Sequence, residues 1–262
     1  EQIKSVKMGT TVATNALLER KGDKTLLVIT KGFQDALRIG YQNRPRLFDL
    51  NVILPEQLYD KVVEVQERIG AHGDIITPLD LESIESEMKW AFHEGISSVA
   101  IVTMHGYRYP DHEQKIAAMA KEIGFSQIST SHETSPLMKL IGRGDTTVVD
   151  AYLSPMLRRY IDRVQDALGD TALYFMQSNG GLANANHFQG KDSILSGPAG
   201  GIVGAVKTAE LSGFTKLIGF DMGGTSTDVS HYNGEYERTY ETVVAGVRMR
   251  TPMMNIHTVA AG

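Results

Sequence analysis

The chain has 262 residues, of which 42% are hydrophobic and 22% are charged, and its formal net charge is −5. These values are typical of a globular protein with one large domain or two small ones. No stretch is rich in Lys or Arg and no apolar run approaches the ~20 residues of a membrane helix, which argues against nucleic acid and membranes as partners. The sequence has no cysteine, which excludes disulfides, thiolate metal sites and cysteine nucleophiles and fits a reducing compartment such as the cytoplasm.

Neither end of the chain is typical of a natural terminus. The sequence begins with Glu1-Gln2-Ile3, without an initiator Met, and it stops at Gly262 directly after an apolar run. We therefore expect a fragment of a longer protein, incomplete at both ends.

Strand and helix patterns alternate through residues 1–131, the predicted first lobe. The patterns predict a helix at 9–21, a strand at 26–30, a helical turn at 32–39, a loop at 40–55, a half-exposed strand at 62–69, a helix at 77–94, a strand at 98–104, a helix at 111–123 and a strand at 127–131. Such alternation favours an α/β lobe with a largely parallel sheet.

Residues 132–262 form the predicted second lobe. A helical stretch at 143–168, which Pro155 should divide or kink, is expected to connect the two lobes. The patterns then predict a strand at 172–176, a turn at 178–181, a helix at 196–211, a strand at 217–220, a hairpin around Asn233-Gly234 within residues 231–250, and a strand at 253–259.

The stretch from Lys216 to Ser230 carries the clearest chemical signal. An apolar strand runs into Asp221, and the chain then continues with Gly223, Gly224, Thr225, Ser226, Thr227 and Asp228. Glycines let backbone N–H groups approach a phosphate, hydroxyls donate to its oxygens, and carboxylates hold a hydrated Mg²⁺ ion. We therefore interpret the stretch as a phosphate loop in which Asp221 faces the metal or an attacking water and Asp228 supports it. The alternative is a hairpin turn that happens to be rich in Thr and Ser.

A second candidate lies one helix earlier, at the motif Ser196-Gly-Pro-Ala-Gly-Gly201. Because helix N-termini present free N–H groups, Gly197, Gly200 and Gly201 could contact an anion. An ordinary helix start with glycines for close packing is the alternative. The position of this helix directly before the Asp221 strand suggests that both line one cleft.

Three weaker candidates remain. Gly9-Thr10-Thr11 begins a helix, where a simple N-cap is the favoured interpretation. Arg143, between two glycines, could contact an anionic substrate or could be a surface residue. No histidine pair has metal-ligand spacing, but His257 precedes Gly262 closely and could contact a substrate.

Four motifs, in this order, resemble the hydantoinase A / 5-oxoprolinase family. They are GTTVATNALLERKG at 9–22, SGPAGG at 196–201, GFDMGGTSTDVS at 219–230 and NIHTVAAG at 255–262. The resemblance covers essentially the whole chain. Within the family, the stretches at 31–50 and 132–155 look most like 5-oxoprolinases, and N-methylhydantoinases and acetone or acetophenone carboxylase subunits are the alternatives.

The resemblance implies an actin-like ATPase fold of two RNase H-like lobes that binds ATP and Mg²⁺. It implies an enzyme that phosphorylates the amide oxygen of 5-oxoproline and opens the ring to glutamate, although a non-catalytic nucleotide-binding scaffold is a further alternative. It also implies a hydantoinase B-like region or subunit as partner, and a homo-oligomer is a further expectation. The family's first phosphate loop is missing and its adenosine motif stops at Gly262, so we expect the isolated fragment to be inactive.

Overall fold

The computed structural model of the protein describes residues 3–42, 48, 50, 51, 54–223 and 227–259. The strands are β1 (Ser5–Met8), β2 (Thr25–Thr30), β3 (Lys61–Val65), β4 (Arg68–Ile69), β5 (Ile75–Thr77), β6 (Ser98–Val102), β7 (Gln127–Thr130), β8 (Ala172–Met176), β9 (Leu182–Asn184), β10 (Lys216–Met222), β11 (Thr227–Asn233), β12 (Arg238–Thr239), β13 (Thr242–Val244), β14 (Val247–Met249), β15 (Met253–Met254) and β16 (His257–Val259).

The α-helices are α1 (Val12–Glu19), α2 (Ala36–Ile39), α3 (Glu82–His93), α4 (Asp111–Ile123), α5 (Ser131–Thr134), α6 (Leu140–Leu168) and α7 (Ser196–Leu211). Two 3₁₀ turns lie at Ala185–His187 and Gly190–Asp192. No helix of the described segments has both the length and the apolar character needed to cross a bilayer.

The chain forms two compact units. The parallel-sheet unit consists of Leu17–Met156 and Thr242–Arg250, and the hairpin unit consists of Glu1–Ala16, Leu157–Glu241 and Thr251–Gly262. These units and the predicted lobes divide the chain at different residues. Residues up to Ala16 join the hairpin unit because β1 pairs in parallel with β8. The division at residue 131 therefore stays a prediction about the sequence.

The parallel-sheet unit is built on four strands in the order β3-β2-β6-β7, and every neighbouring pair is parallel. All residues of β2 and β6 are buried. Continuous apolar strands of this kind are typical of parallel sheets whose two faces are both covered. The predicted α/β lobe with a largely parallel sheet is confirmed.

The apolar stripes of α3 and α4 pack with this sheet in one core. Ile84 and Met88 of α3 and Ile116 of α4 are each 0% exposed and join a cluster with strand residues such as Val99 and Ile101. α4 ends at Gly124, whose φ of 114° lies in the left-handed region that glycine tolerates. The predicted bounds of this helix, 111–123, are those observed.

The hairpin unit holds two small sheets, β1-β8-β9 and the antiparallel β10-β11-β16. Its core contains Leu157 and Ile161 from the second half of α6. The rings of Phe175 and Phe188 stack there with centroids 5.0 Å apart. α6 contributes residues to both units and continues through Pro155 without being divided, and its role as the connection between the predicted lobes stays a prediction.

Two predicted strand regions differ from the structure. The expected strand at 62–69 is two strands, β3 and β4, with Glu67 in the gap between them. The expected hairpin at Asn233-Gly234 is reduced to an isolated bridge between Tyr232 and Tyr236. The hairpin within that region is β13–β14, whose turn residues Ala245 and Gly246 both have positive φ.

Candidate functional site

The predicted phosphate loop connects the two strands of the β10–β11 hairpin. Asp221 of β10 lies directly opposite Asp228 of β11 in the strand register. Side chains of directly opposed residues lie on the same face of the sheet, about 4.5–5.5 Å apart at Cβ. Gly223 is described and exposed, whereas Gly224, Thr225 and Ser226 lie outside the described residues.

Two carboxylates at this separation repel each other unless a cation or hydrogen-bond donors compensate their charge. Asp228 has one such donor, because the hydroxyl of Thr258 on β16 donates to Asp228 Oδ1 at 2.7 Å. The described residues hold no cluster of three or more His, Asp or Glu side chains that could ligate a metal.

A cleft of about 250 Å³ lies between this hairpin and the first half of α7. It is lined by Pro198, Gly201, Ile202, Ala205, Gly219, Phe220, Asp221, Asp228, Ser230 and Ile256. The structure thus brings Asp221, Asp228 and Gly201 of the predicted site into one cleft. A Cβ at Gly201 would meet no atom within 4 Å, so this glycine leaves open space beside the carboxylates.

The other two predicted glycines of α7 pack differently. A Cβ at Gly197 would lie 3.1 Å from Thr11 Cγ2, and a Cβ at Gly200 would lie 3.7 Å from Met176 Cγ. These glycines serve close packing of the helix start, which was the alternative interpretation of the motif, and their contact with an anion stays a prediction.

The start of α7 is also in contact with the Gly9-Thr10-Thr11 segment. The backbone N–H of Thr10 donates to Ser196 Oγ at 3.1 Å, and Ser196 Oγ donates to the carbonyl of Met176 at 2.6 Å. Thr10 Oγ1 accepts from the N–H of Val12, a local turn contact just before the helix, whose first backbone hydrogen bond runs from the N–H of Asn15 to the carbonyl of Thr11. Two of the sequence candidates therefore meet at one point of the hairpin unit.

Thr227 is the first described residue after the loop. Its side chain is 1% exposed, and its hydroxyl has no hydrogen-bond partner among the described residues. A buried hydroxyl without a partner is unfavourable, so such an atom at the end of a candidate loop is an observation in favour of a ligand or of donors from the loop itself.

Arg143 belongs to the parallel-sheet unit, where its side chain is 0% exposed. Its guanidinium donates to Ser131 Oγ and to the carbonyls of Leu137, Thr103 and Met104 at 2.6–3.0 Å. Burial lowers the pKa of this guanidinium, while the Glu113 carboxylate acts in the opposite direction. These contacts favour a structural role, and contact with a substrate stays a prediction.

Glu113 is the acceptor at the centre of the same network. It is 0% exposed and accepts from the N–H groups of Thr103 and His132 and from the hydroxyl of Ser131. His132 Nδ1 lies 2.7 Å from Glu113 Oε2, and this hydrogen bond raises the pKa of His132. Sequence patterns gave no signal for this network, because its members come from four separate segments.

His257 is exposed on β16, opposite Val229 of β11. The residue that contacts the candidate site from this strand is its neighbour Thr258, which the sequence interpretation did not single out. Strand alternation was the available signal, since it turns His257 and Thr258 to opposite faces.

Two family models match the chain. The Hydantoinase/oxoprolinase N-terminal region matches residues 1–124, and Hydantoinase/oxoprolinase matches residues 143–262. A 5-oxoprolinase of Dictyostelium discoideum is 45% identical over 302 residues, which cover 99% of this chain and 24% of that protein. The chain therefore spans about a quarter of the length of this relative.

Two solved structures share the fold. The ATP-dependent caprolactamase from Pseudomonas jessenii superposes with a TM-score of 0.85 at 30% identity, and acetone carboxylase in its nucleotide-free structure with 0.86 at 22% identity. Each match covers 99% of this chain and 39% of the solved chain. The predicted α/β fold is confirmed.

Proposed function

Because the chain belongs to the hydantoinase/oxoprolinase family, we propose that it is the nucleotide-binding portion of an ATP-dependent enzyme that opens the cyclic amide 5-oxoproline to glutamate. The observation that carries this proposal is the pair Asp221 and Asp228, opposed across a hairpin that lines a cleft with α7. Likeness to a 5-oxoprolinase across 99% of the chain favours this substrate.

The donor set fits Mg²⁺ together with nucleotide phosphates. Mg²⁺ in proteins is commonly bound by one or two carboxylates, several waters and the phosphates of a substrate. Asp221 and Asp228 would supply the carboxylates, and Gly201 leaves the space beside them open. The unpartnered hydroxyl of Thr227 would donate to a phosphate oxygen or a metal-bound water.

We propose distinct roles for the residues around the cleft. Asp221, exposed at the end of β10, would hold the metal and orient a water. Asp228 would be held in its rotamer by the hydroxyl of Thr258 and would support the metal from the second strand. Phosphates would accept hydrogen bonds from four residues of the loop, Gly223, Gly224, Thr225 and Ser226. Three glycines at the start of α7 would donate to phosphates as well, namely Gly197, Gly200 and Gly201. His257 would lie near the substrate.

The chemistry demands positioning more than a protein nucleophile. A cyclic amide is a poor electrophile, and ATP would supply the phosphoryl group that converts its oxygen into a leaving group. The chain's carboxylates and hydroxyls would align the phosphates and neutralise charge through the metal.

We also propose a hydantoinase B-like partner region or subunit, a homo-oligomer and a cytoplasmic location, which rest on the sequence resemblance and composition.

The test uses the full-length protein. We expect ATP hydrolysis that depends on Mg²⁺ and is stimulated by 5-oxoproline more than by caprolactam, a hydantoin, or acetone with bicarbonate. If only one of the other compounds stimulated ATP hydrolysis, that compound and not 5-oxoproline would be the substrate. ATP binding without hydrolysis in the presence of any of them would favour a non-catalytic scaffold.

A further inference from the structure

The starts of α1 and α7 are far apart in sequence but contact each other in the hairpin unit, at two glycines. A Cβ on Gly9, just before α1, would lie 3.2 Å from the backbone Cα of Gly197 in the first turn of α7. A Cβ on Gly197 would in turn lie 3.1 Å from Thr11 Cγ2. Both distances are shorter than ordinary van der Waals contact, so side chains at these positions would push the two helix starts apart.

Hydrogen bonds between buried groups hold the same contact. Ser196 is 0% exposed, and its hydroxyl bridges the N–H of Thr10 and the carbonyl of Met176 at the end of β8. The N–H of Leu195 donates to Thr14 Oγ1 at 2.9 Å. Leu195 has a φ of +56°, a strained conformation for a leucine that its surroundings must stabilise.

The contact adjoins the residues of α7 that line the cleft. Gly197 precedes Pro198 and Gly201, which form the wall that faces Asp221 and Asp228. Any shift of the first turn of α7 changes the width of the cleft. A wall that must meet phosphate oxygens at hydrogen-bond distance tolerates only small shifts.

We propose that Gly9, Thr11, Thr14, Ser196 and Gly197 are positioning residues that set the distance between the start of α7 and the Asp221–Asp228 hairpin, and thereby the affinity for a nucleoside triphosphate. This inference rests on the proposed function of the cleft. It assigns the Gly9-Thr10-Thr11 segment a role beyond that of an N-cap, although its side chains do not line the cleft.

The structure offers a test by second-site rescue. Gly197→Ala should displace α7 by a few tenths of an ångström because of Thr11 Cγ2, and should weaken binding of ATP with Mg²⁺ to the full-length protein about tenfold. Thr11→Ser removes this methyl group, so the double variant Gly197→Ala/Thr11→Ser should recover most of the affinity. Gly204→Ala on the same helix is the matched control, since its Cβ would meet no atom within 4 Å.

Calorimetry would measure the affinity, and thermal unfolding without nucleotide would report stability separately. A second pair keeps the test decisive if Gly197→Ala does not fold: Thr14→Ala should weaken ATP binding, and Thr14→Ser, which keeps the hydroxyl for Leu195, should not. Unchanged affinity in Gly197→Ala, or equal loss with and without Thr11→Ser, would overturn the positioning role. Failure of the unaltered protein to bind ATP would instead overturn the proposed function.

Discussion

Asp221 lies directly opposite Asp228 across the β10–β11 hairpin, and the hydroxyl of Thr258 on the neighbouring strand donates to Asp228. Like charges that face each other across a sheet disfavour the fold. The arrangement therefore costs stability unless a cation or hydrogen-bond donors such as Thr258 compensate the charge, which makes it a feature to be explained by function.

The first prediction follows from this repulsion. Asp221→Asn in the full-length protein should leave the melting temperature without Mg²⁺ unchanged or slightly higher, because one of two opposed charges is lost. Its Mg²⁺-dependent ATP hydrolysis should fall by about 100-fold, since a preorganised charge at the phosphates is removed. Phosphate release with 5-oxoproline present measures the effect.

The control for this change is Asp170→Asn, which removes an exposed carboxylate from the turn before β8. This control should change neither the melting temperature nor the Mg²⁺-dependent ATP hydrolysis. Full ATPase activity in Asp221→Asn would show that the hairpin pair has no part in the metal site.

A second prediction concerns Glu113, the buried acceptor of the parallel-sheet unit. Glu113→Gln replaces an acceptor oxygen by an amide NH₂, which cannot accept from Thr103, Ser131 and His132 together. We expect the unfolding free energy to fall by about 3 kcal/mol, as for other broken buried networks. Urea unfolding would measure it.

Glu122→Gln, on the exposed part of the same helix, is the matched control and should change stability little. If Glu113→Gln unfolded at the urea concentration of the unaltered protein, the network would not be the stabilising element that its geometry indicates.

A third prediction separates two roles for Arg143. Lysine has three donors on one nitrogen and cannot reproduce the forked contacts of the guanidinium with Ser131, Leu137 and Thr103. We expect Arg143→Lys to lower the unfolding free energy by about 2 kcal/mol. The KM for the cyclic amide should stay unchanged in the folded full-length enzyme.

Arg163→Lys tests the same exchange at an exposed position of α6 and should be neutral. A large rise in KM for Arg143→Lys without loss of stability would instead support direct contact with the substrate.

The sequence was most informative where one physical requirement determined the pattern. The continuous apolar runs of β2 and β6 correctly predicted buried strands. Gly124 correctly predicted the end of α4. The strand at 62–69 shows the limit. The inward-facing residues of this region alternate, and they are Val63, Val65, Glu67 and Ile69. Glu67 is buried because it forms hydrogen bonds with Thr30 and His112. Local sequence patterns do not indicate such distant partners.

Turn chemistry misled for a similar reason. Asn-Gly is the strongest local hairpin signal, yet the two-residue turn between β13 and β14 is formed by Ala245 and Gly246. The β13–β14 hairpin also makes a long-range contact that no turn signal indicates, since Arg248 of β14 binds the buried Asp145. The motif at Asp221 was found from sequence, whereas the contacts of Thr258 and Gly9 needed the fold.

The last prediction concerns the pH dependence of stability at Asp145. Burial raises the pKa of this carboxyl to about 6, although Arg248 Nε donates to it at 2.8 Å and acts in the opposite direction. The folded chain therefore keeps a proton on Asp145 between pH 4 and 6, where the unfolded chain has lost it. The stabilising contribution is full at low pH and is lost as pH rises through the pKa of the folded state, on the order of 3 kcal/mol.

Asp145→Asn removes this titration, because the amide stays neutral while its oxygen can still accept from Arg248. The unfolding free energy of the variant minus that of the unaltered protein should rise by about 3 kcal/mol between pH 4 and 6. Urea unfolding at each pH measures this difference in unfolding free energy. The control is Asp162→Asn, at an exposed position of the same helix, for which the difference should not change with pH. A difference that stays flat between pH 4 and 6 and falls with pH only below pH 4 would mean that the ion pair with Arg248 dominates over burial and holds the pKa of Asp145 below its usual value.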